Sequence, residues 1–155
     1  MSTRENKSNK SLYIFLFIVY CLTMLWLLFG RSRYHIDGDY HVIIDTLVNL
    51  QPLRTIRAYT YVLENRVEAY LWVAAYNLFG NILLFIPYGV FLPGLFKGMR
   101  KFWKTMLLGI VTIVFVELTQ IITLRGSCDI DDLILNTIGI FIGYIMYRLT
   151  HLKRE

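Results

Sequence analysis

Glu117, Gln120, Arg125, Asp129, Asp131, Asp132 and Asn136 fall in one stretch, E-L-T-Q-I-I-T-L-R-G-S-C-D-I-D-D-L-I-L-N, which begins inside one apolar run and ends inside the next. Side chains of these types support three kinds of chemistry. A guanidinium such as Arg125 meets phosphate or carboxylate through charge-assisted hydrogen bonds. Carboxylates meet ammonium groups or a hard cation. A carboxylate held away from water can also serve as acid or base, and Glu117 and Asp132 are the candidates if the site is catalytic. Asp129-x-Asp131-Asp132 is one acidic run, far less specific than a calcium loop, and a solvated acidic turn has the same composition; no metal is assigned to it.

The motifs of known catalytic machinery are missing. There is no Gly-x-Ser-x-Gly, no His-Glu-x-x-His and no phosphate loop. His35 and His41 lie in another segment that can fold over the cluster, whereas His151 falls at the wrong end. Cys21 sits in an apolar run and Cys128 in the polar link, without the spacing of a disulfide framework or a zinc site. These absences favour binding over turnover, and no cofactor is expected.

The elements that must position the stretch are membrane spans. The 155-residue chain is 56% hydrophobic and 17% charged, with a mean hydropathy of +0.51, high for a soluble domain. An ionised Asp at the centre of a bilayer costs roughly 2.5–3.5 kcal/mol on insertion scales, so clustered charges need a reason. The net charge of +5 comes from basic residues flanking apolar runs, a pattern of membrane orientation rather than of nucleic-acid binding. The expected architecture is all-α, one membrane domain over 12–150 between polar tails at 1–11 and 151–155. Its four transmembrane helices are expected at about 12–29, 71–93, 102–124 and 133–149. The first run ends without a small-x-small cleavage site, so it reads as an uncleaved span.

The loop 30–70 is expected to carry a turn at Ile36–Tyr40 and two interfacial helices. Tyr40, Ile43, Ile44 and Leu47 define one apolar face; Ile56, Tyr59, Leu63, Val67 and Tyr70 define the other. Asn49 to Leu53, with Pro52, separates them. Pro87 should kink the second span, and Pro93-Gly94 should stop it. Gly89, Gly139 and Gly143 should admit close helix approach.

With both termini cytoplasmic, the inner segments carry 10 Lys and Arg in short stretches and the outer segments 6. The positive-inside rule therefore predicts that orientation. It places Asn77 roughly 9 Å and Asn81 roughly 15 Å below the outer end of the second span, at 1.5 Å per residue. Glu117 and Gln120 fall in the outer third of the third span. Asp132 stands at the mouth of the fourth, with Asn136 one turn below. Three helices thus bring polar residues to one level near the outer surface. Arg125 is the natural counter-ion for Asp129, Asp131, Asp132 or Glu117, and Asp131 or Asp132 can cap the fourth helix. Asn77, Asn81 and Asn136 also suit plain interhelical hydrogen bonding, worth about 0.6 kcal/mol each.

Three pieces of the sequence resemble the VanZ-like family of small integral membrane proteins. Asn49 to Ile56, N-L-Q-P-L-R-T-I, is similar to the family's N-L-x-P-F-x-T-I, with Leu53 in place of Phe. Asn77 to Pro93 is similar to N-x-x-L-F-x-P-x-G-x-x-L-P. Glu117, Gln120, Arg125, Asp129, Asp131, Asp132, Asn136 and Gly139 resemble its E-x-x-Q, R, D-x-x-D and N-T-x-G. The resemblance covers about 12–150. It implies a multi-pass protein of the bacterial plasma membrane and a link to glycopeptide (teicoplanin-type) antibiotic resistance. It also gives the outer pocket candidate occupants: a membrane lipid, a lipid-linked cell-wall precursor or an acylated glycopeptide antibiotic. Asn77, Asn81, Glu117, Gln120, Arg125, Asp129, Asp131, Asp132 and Asn136 are the candidate binding residues. The alternatives are an enzyme acting on a lipid-linked envelope substrate through Glu117 and the Asp cluster, and a packing scaffold for other envelope proteins.

Overall fold

A computed structural model describes residues 2–30 and 47–151, with side chains from residue 10 of the first helix. The expected turn at Ile36–Tyr40, the first interfacial helix from Tyr40, and His35 and His41 lie outside the described residues. Five helices can be traced from end to end within the described residues, in order: α1 (Ser2–Phe29), α2 (Arg54–Glu64), α3 (Leu71–Leu95), α4 (Phe102–Ile122) and α5 (Ile130–His151). Single turns of 3₁₀ helix precede α3 and α4. Among the described residues, four segments are long and apolar enough to cross a membrane: Lys10–Phe29, Glu68–Leu95, Phe102–Ile122 and Ile130–His151. The protein is an all-α membrane protein.

The core is the α3–α5 seam, with α4 against it. Gly139 and Gly143 let α5 approach until added methyls would strike the Ile82 and Ile86 carbonyl oxygens of α3. Gly89 answers from α3, where a methyl would strike the Ile140 carbonyl. Spans gain little from hydrophobic exclusion inside lipid, so such backbone contact is what binds them. Gly109 of α4 leaves room for the Ile140 side chain, and Phe85, Ile113 and Ile140 are fully buried around that point.

The helix α1 packs differently. Only 6% of its apolar window is buried in the bundle, against 33–39% for the other spans. It leans on α3 through an aromatic patch in which Tyr13, Phe17 and Tyr20 surround Phe91. The Tyr20 hydroxyl donates to the Leu84 carbonyl at 2.9 Å, and the Tyr20 hydroxyl oxygen accepts the Tyr88 amide. This polar side chain enters the backbone ladder one turn from Pro87, whose missing N–H already weakens it.

Three sequence expectations need correction. Pro93-Gly94 does not stop α3, which runs to Leu95 and ends where Phe96 turns extended. Gly94 is kept small because Tyr13 of α1 packs against it. The face expected to run from Ile56 to Tyr70 is broken after Glu64, where Arg66 takes a positive φ of 48° and Val67 is extended. Finally, α5 starts at Ile130, ahead of the helix start expected at Asp132, so Asp131 and Asp132 both belong to its first turn.

Candidate functional site

The site begins with the turn that follows α4. Arg125 N–H returns to the Gln120 carbonyl at 2.9 Å and Leu124 N–H to the Ile121 carbonyl at 3.1 Å. This pair is a Schellman closure, and Leu124 fills the left-handed position at φ 53° where glycine is usual. Leu124 accepts the conformation because its side chain packs beside Leu47 and Ile121. The closure turns the chain back over the end of α4. Gly126 lies against the Gln120 side chain, and the Arg125 guanidinium donates to the Phe29 carbonyl at the end of α1.

Next, Cys128–Asp129 pairs in parallel with Val48–Asn49, Val48 opposite Cys128 and Asn49 opposite Asp129. Asp129 Oδ2 accepts the Thr55 hydroxyl at 2.6 Å, and Oδ1 accepts Asn49 Nδ2 at 3.2 Å. Oδ1 also accepts the Asp131 amide at 2.9 Å, which makes Asp129 the cap of α5. The sequence had assigned that cap to Asp131 or Asp132. Asp131 instead caps a different helix. Its Oδ1 accepts the Leu53 amide at 2.5 Å, and its Oδ2 accepts the Thr55 and Ile56 amides at 2.8 and 3.1 Å. Those amides open α2, where Leu53 stands at φ 65° with no cap from its own side chain. Asp131 is completely buried. Asp129 and Asp131 are thus the rivets that fasten residues 49–56 to the bundle.

The remaining polar residues face elsewhere. A cavity of about 390 Å³ opens between α1, α3 and the turn after α4. Asn77, Asn81, Gln120, Arg125, Ser127 and Asp132 supply its polar lining; Leu27, Leu28, Leu83 and Leu84 supply its apolar lining. Asn81 Nδ2 donates to Asp132 Oδ1, joining α3 to α5 across the floor. Gln120 Nε2 donates to the Leu28 carbonyl at 3.1 Å. Asn77 Nδ2 turns back to the Val73 carbonyl of its own helix at 2.7 Å. Tyr76 and Leu83 line the same cavity and are largely exposed on the outside of the bundle, so the cavity wall continues into the apolar surface.

Five of the nine sequence-derived residues therefore share the cavity: Asn77, Asn81, Gln120, Arg125 and Asp132. Glu117 stands behind it. It is buried, its Oε2 accepts the Asp129 amide at 3.2 Å, and Asp132 and Asp129 are its charged neighbours. Asn136 is buried one turn below Asp132, and its Oδ1 has no hydrogen-bond partner among the described residues. Cys128, in the link, is half-buried, and its thiol is held above the usual range by burial and by the charges of Glu117, Asp129 and Asp132. Among the described residues, no three His, Cys, Asp or Glu side chains are placed to hold a metal ion. The sequence reading missed Asn49 and Thr55 as partners of Asp129, although both lie in the first family-like piece. It also missed Leu27 and Leu28, since nothing in a uniformly apolar span marks the two residues that face a cavity.

The family model described as VanZ/LLP1 matches residues 17–151. A curated relative, Protein VanZ of Enterococcus faecium, is 27% identical over 138 residues, spanning 88% of this chain and 73% of the relative. No solved structure matches.

Proposed function

The chain belongs to the VanZ/LLP1 family, and on that premise we propose that it holds an amphipathic, anionic-headed ligand at the outer face of a bacterial plasma membrane. The ligand is a lipid, a lipid-linked wall precursor or an acylated glycopeptide, and its capture contributes to resistance of the teicoplanin type. Both termini lie in the cytoplasm under this reading, so the cavity belongs to the outer leaflet. The observation that supports it is the two-sided lining: Arg125, Gln120, Asn77 and Asn81 against Leu27, Leu28, Leu83 and Leu84. Arg125 meets the phosphate or carboxylate, the amides orient the polar head, and Asp132 meets an ammonium or sugar hydroxyl. The leucines take the start of an acyl chain, which leaves past Tyr76 and Leu83 without crossing a polar barrier.

The test is teicoplanin susceptibility of a sensitive bacterium expressing the protein or its Arg125→Ala, Gln120→Ala and Asp132→Asn variants, with membrane abundance measured beside it. The expected result is protection by the native chain and its loss in the variants at equal abundance. Unchanged protection in all three would overturn the proposal. Loss of protection that follows loss of abundance would assign the residues to the scaffold instead.

A further inference from the structure

A second groove lies at the opposite end of the bundle, where α4 begins and α5 ends. We propose that this groove, between Arg100, Lys101 and Arg148, is a binding site for an anionic phospholipid.

The first reason is unbalanced charge. The N-terminal end of α4 carries the positive end of the helix dipole, and helices normally place acidic residues or a side-chain cap there. Here the capping position is Lys101, no side chain caps it, and the first turn has no acidic residue. Arg100 precedes it, and Arg148 arrives from the last turn of α5. Arg148 is favoured by the carbonyl end of its own helix; Arg100 and Lys101 face an amide end of their own sign. Among the described side chains no carboxylate neutralises this end, since the sequence has no Asp or Glu between Glu68 and Glu117 or between Asp132 and Glu155. Amides with clustered cations are what hold an anion.

The second reason is the shape beneath the cations. The groove, about 680 Å³, has an apolar floor that includes Phe102, Phe141 and Ile145. Phe102 meets Phe141 and Tyr144 edge-on, at 6.0 and 5.4 Å between ring centroids. The Tyr144 hydroxyl donates to the Arg100 carbonyl at 2.7 Å, fixing the backbone that carries the cation above the floor. Trp103 stands exposed at the rim. Charge at the top and apolar surface continuing down between two spans match a phosphate with its acyl chain. A free phosphate would leave the floor unused. Under the proposed topology this is the inner leaflet.

The test uses the full chain in detergent with Trp26→Phe and Trp72→Phe, which leaves Trp103 as the reporter. Phosphatidylglycerol with brominated acyl chains is titrated, and Trp103 quenching is read. Saturable quenching is expected, with brominated phosphatidylcholine far weaker. Roughly 1 kcal/mol per cation near an anionic surface is about 5-fold in affinity, so Arg100→Gln/Lys101→Gln/Arg148→Gln should weaken phosphatidylglycerol about 100-fold. Lys97→Gln, outside the groove, should change it little. Equal affinity for the two lipids, or an equal loss from Lys97→Gln, would overturn the proposal. Displacement of the lipid by inorganic phosphate at matched concentration would also overturn it, by making the site one for free phosphate. Should the triple variant melt early, Arg148→Gln alone, at an exposed position, must still weaken binding about 5-fold.

Discussion

Asp131 offers the sharpest test of how the bundle is joined. Its carboxylate accepts three amides, from Leu53, Thr55 and Ile56, at a fully buried position. Hydrogen bonds to a charged group contribute roughly 1.5–3 kcal/mol each. Asp131→Asn keeps one acceptor oxygen and turns an amide N–H₂ toward the other donors. It should keep the bond to Leu53 or those to Thr55 and Ile56, but not both sets. The expected loss is about 3 kcal/mol for Asp131→Asn and about 5 kcal/mol for Asp131→Ala, which orphans every donor. Hydrogen exchange of the purified protein reads this locally. A loss of 3 kcal/mol makes the amides of residues 53–56 exchange about 100-fold faster, while amides in the α3–α5 seam are spared. Asp131→Glu should not rescue, because a fully buried position has no room for another methylene. Exchange at 53–56 unchanged in Asp131→Asn would refute the reasoning, since these amides would then have found other partners.

Gly143→Ala should lower the melting temperature by the equivalent of about 1–3 kcal/mol, because its methyl meets the Ile86 carbonyl; Gly98→Ala, with nothing near its added methyl, should be neutral within about 0.5 kcal/mol. Thr55→Val should cost about 1–2 kcal/mol by leaving Asp129 Oδ2 short of a donor, and Thr55→Ser should restore most of it, both read by thermal unfolding in detergent. Cys128 should label from outside the cell more slowly than an exposed thiol and Cys21 should stay unreacted; because the Cys128 pKa is raised, its thiolate fraction at neutral pH is small, so the labelling rate should still be climbing beyond the pH where an ordinary thiol levels off. Asp129→Asn should speed that labelling by removing a nearby negative charge, and an unchanged rate would dismiss the charge as a cause.

The spans were legible because their signal is one-dimensional. Runs of apolar residues bounded by charge need no knowledge of neighbours, and Gly139 and Gly143 marked a packing face on the fourth span by spacing, without naming the helix that meets it. Helix ends were less legible. Pro93 and Gly94 are a stop signal in water, but in this bundle Gly94 is the seat of the Tyr13 ring. The site was half legible. Depth along each span can be counted, so the convergence of Asn81, Gln120 and Asp132 could be worked out. Direction around each helix depends on packing, and that separates Glu117 and Asn136 from the cavity. The partners of Asp129 and Asp131 were the least legible, because Asn49 and Thr55 are more than seventy positions away and no local pattern links backbone amides to a distant carboxylate.

Two neighbouring carboxylates show how one helix turn supports two tasks. Side chains one position apart on an α-helix point about 100° apart, since 3.6 residues complete a turn. At the start of α5 that rotation sends Asp131 to the α2 amides and Asp132 to the cavity and Asn81. Asp131 has its oxygens engaged by three backbone donors, a set that a ligand cannot displace without unwinding the first turn of α2. Asp132 shares one oxygen with a side-chain amide that has rotamers to spare. An acidic run that reads as a single cluster therefore divides by physics. Loss of the Asp131 charge should act through abundance and local unfolding, whereas loss of the Asp132 charge should act on ligand capture at normal abundance. A common phenotype for both, at matched protein levels, would mean that the wall and the rivet are one device, with residues 49–56 moving when the cavity fills.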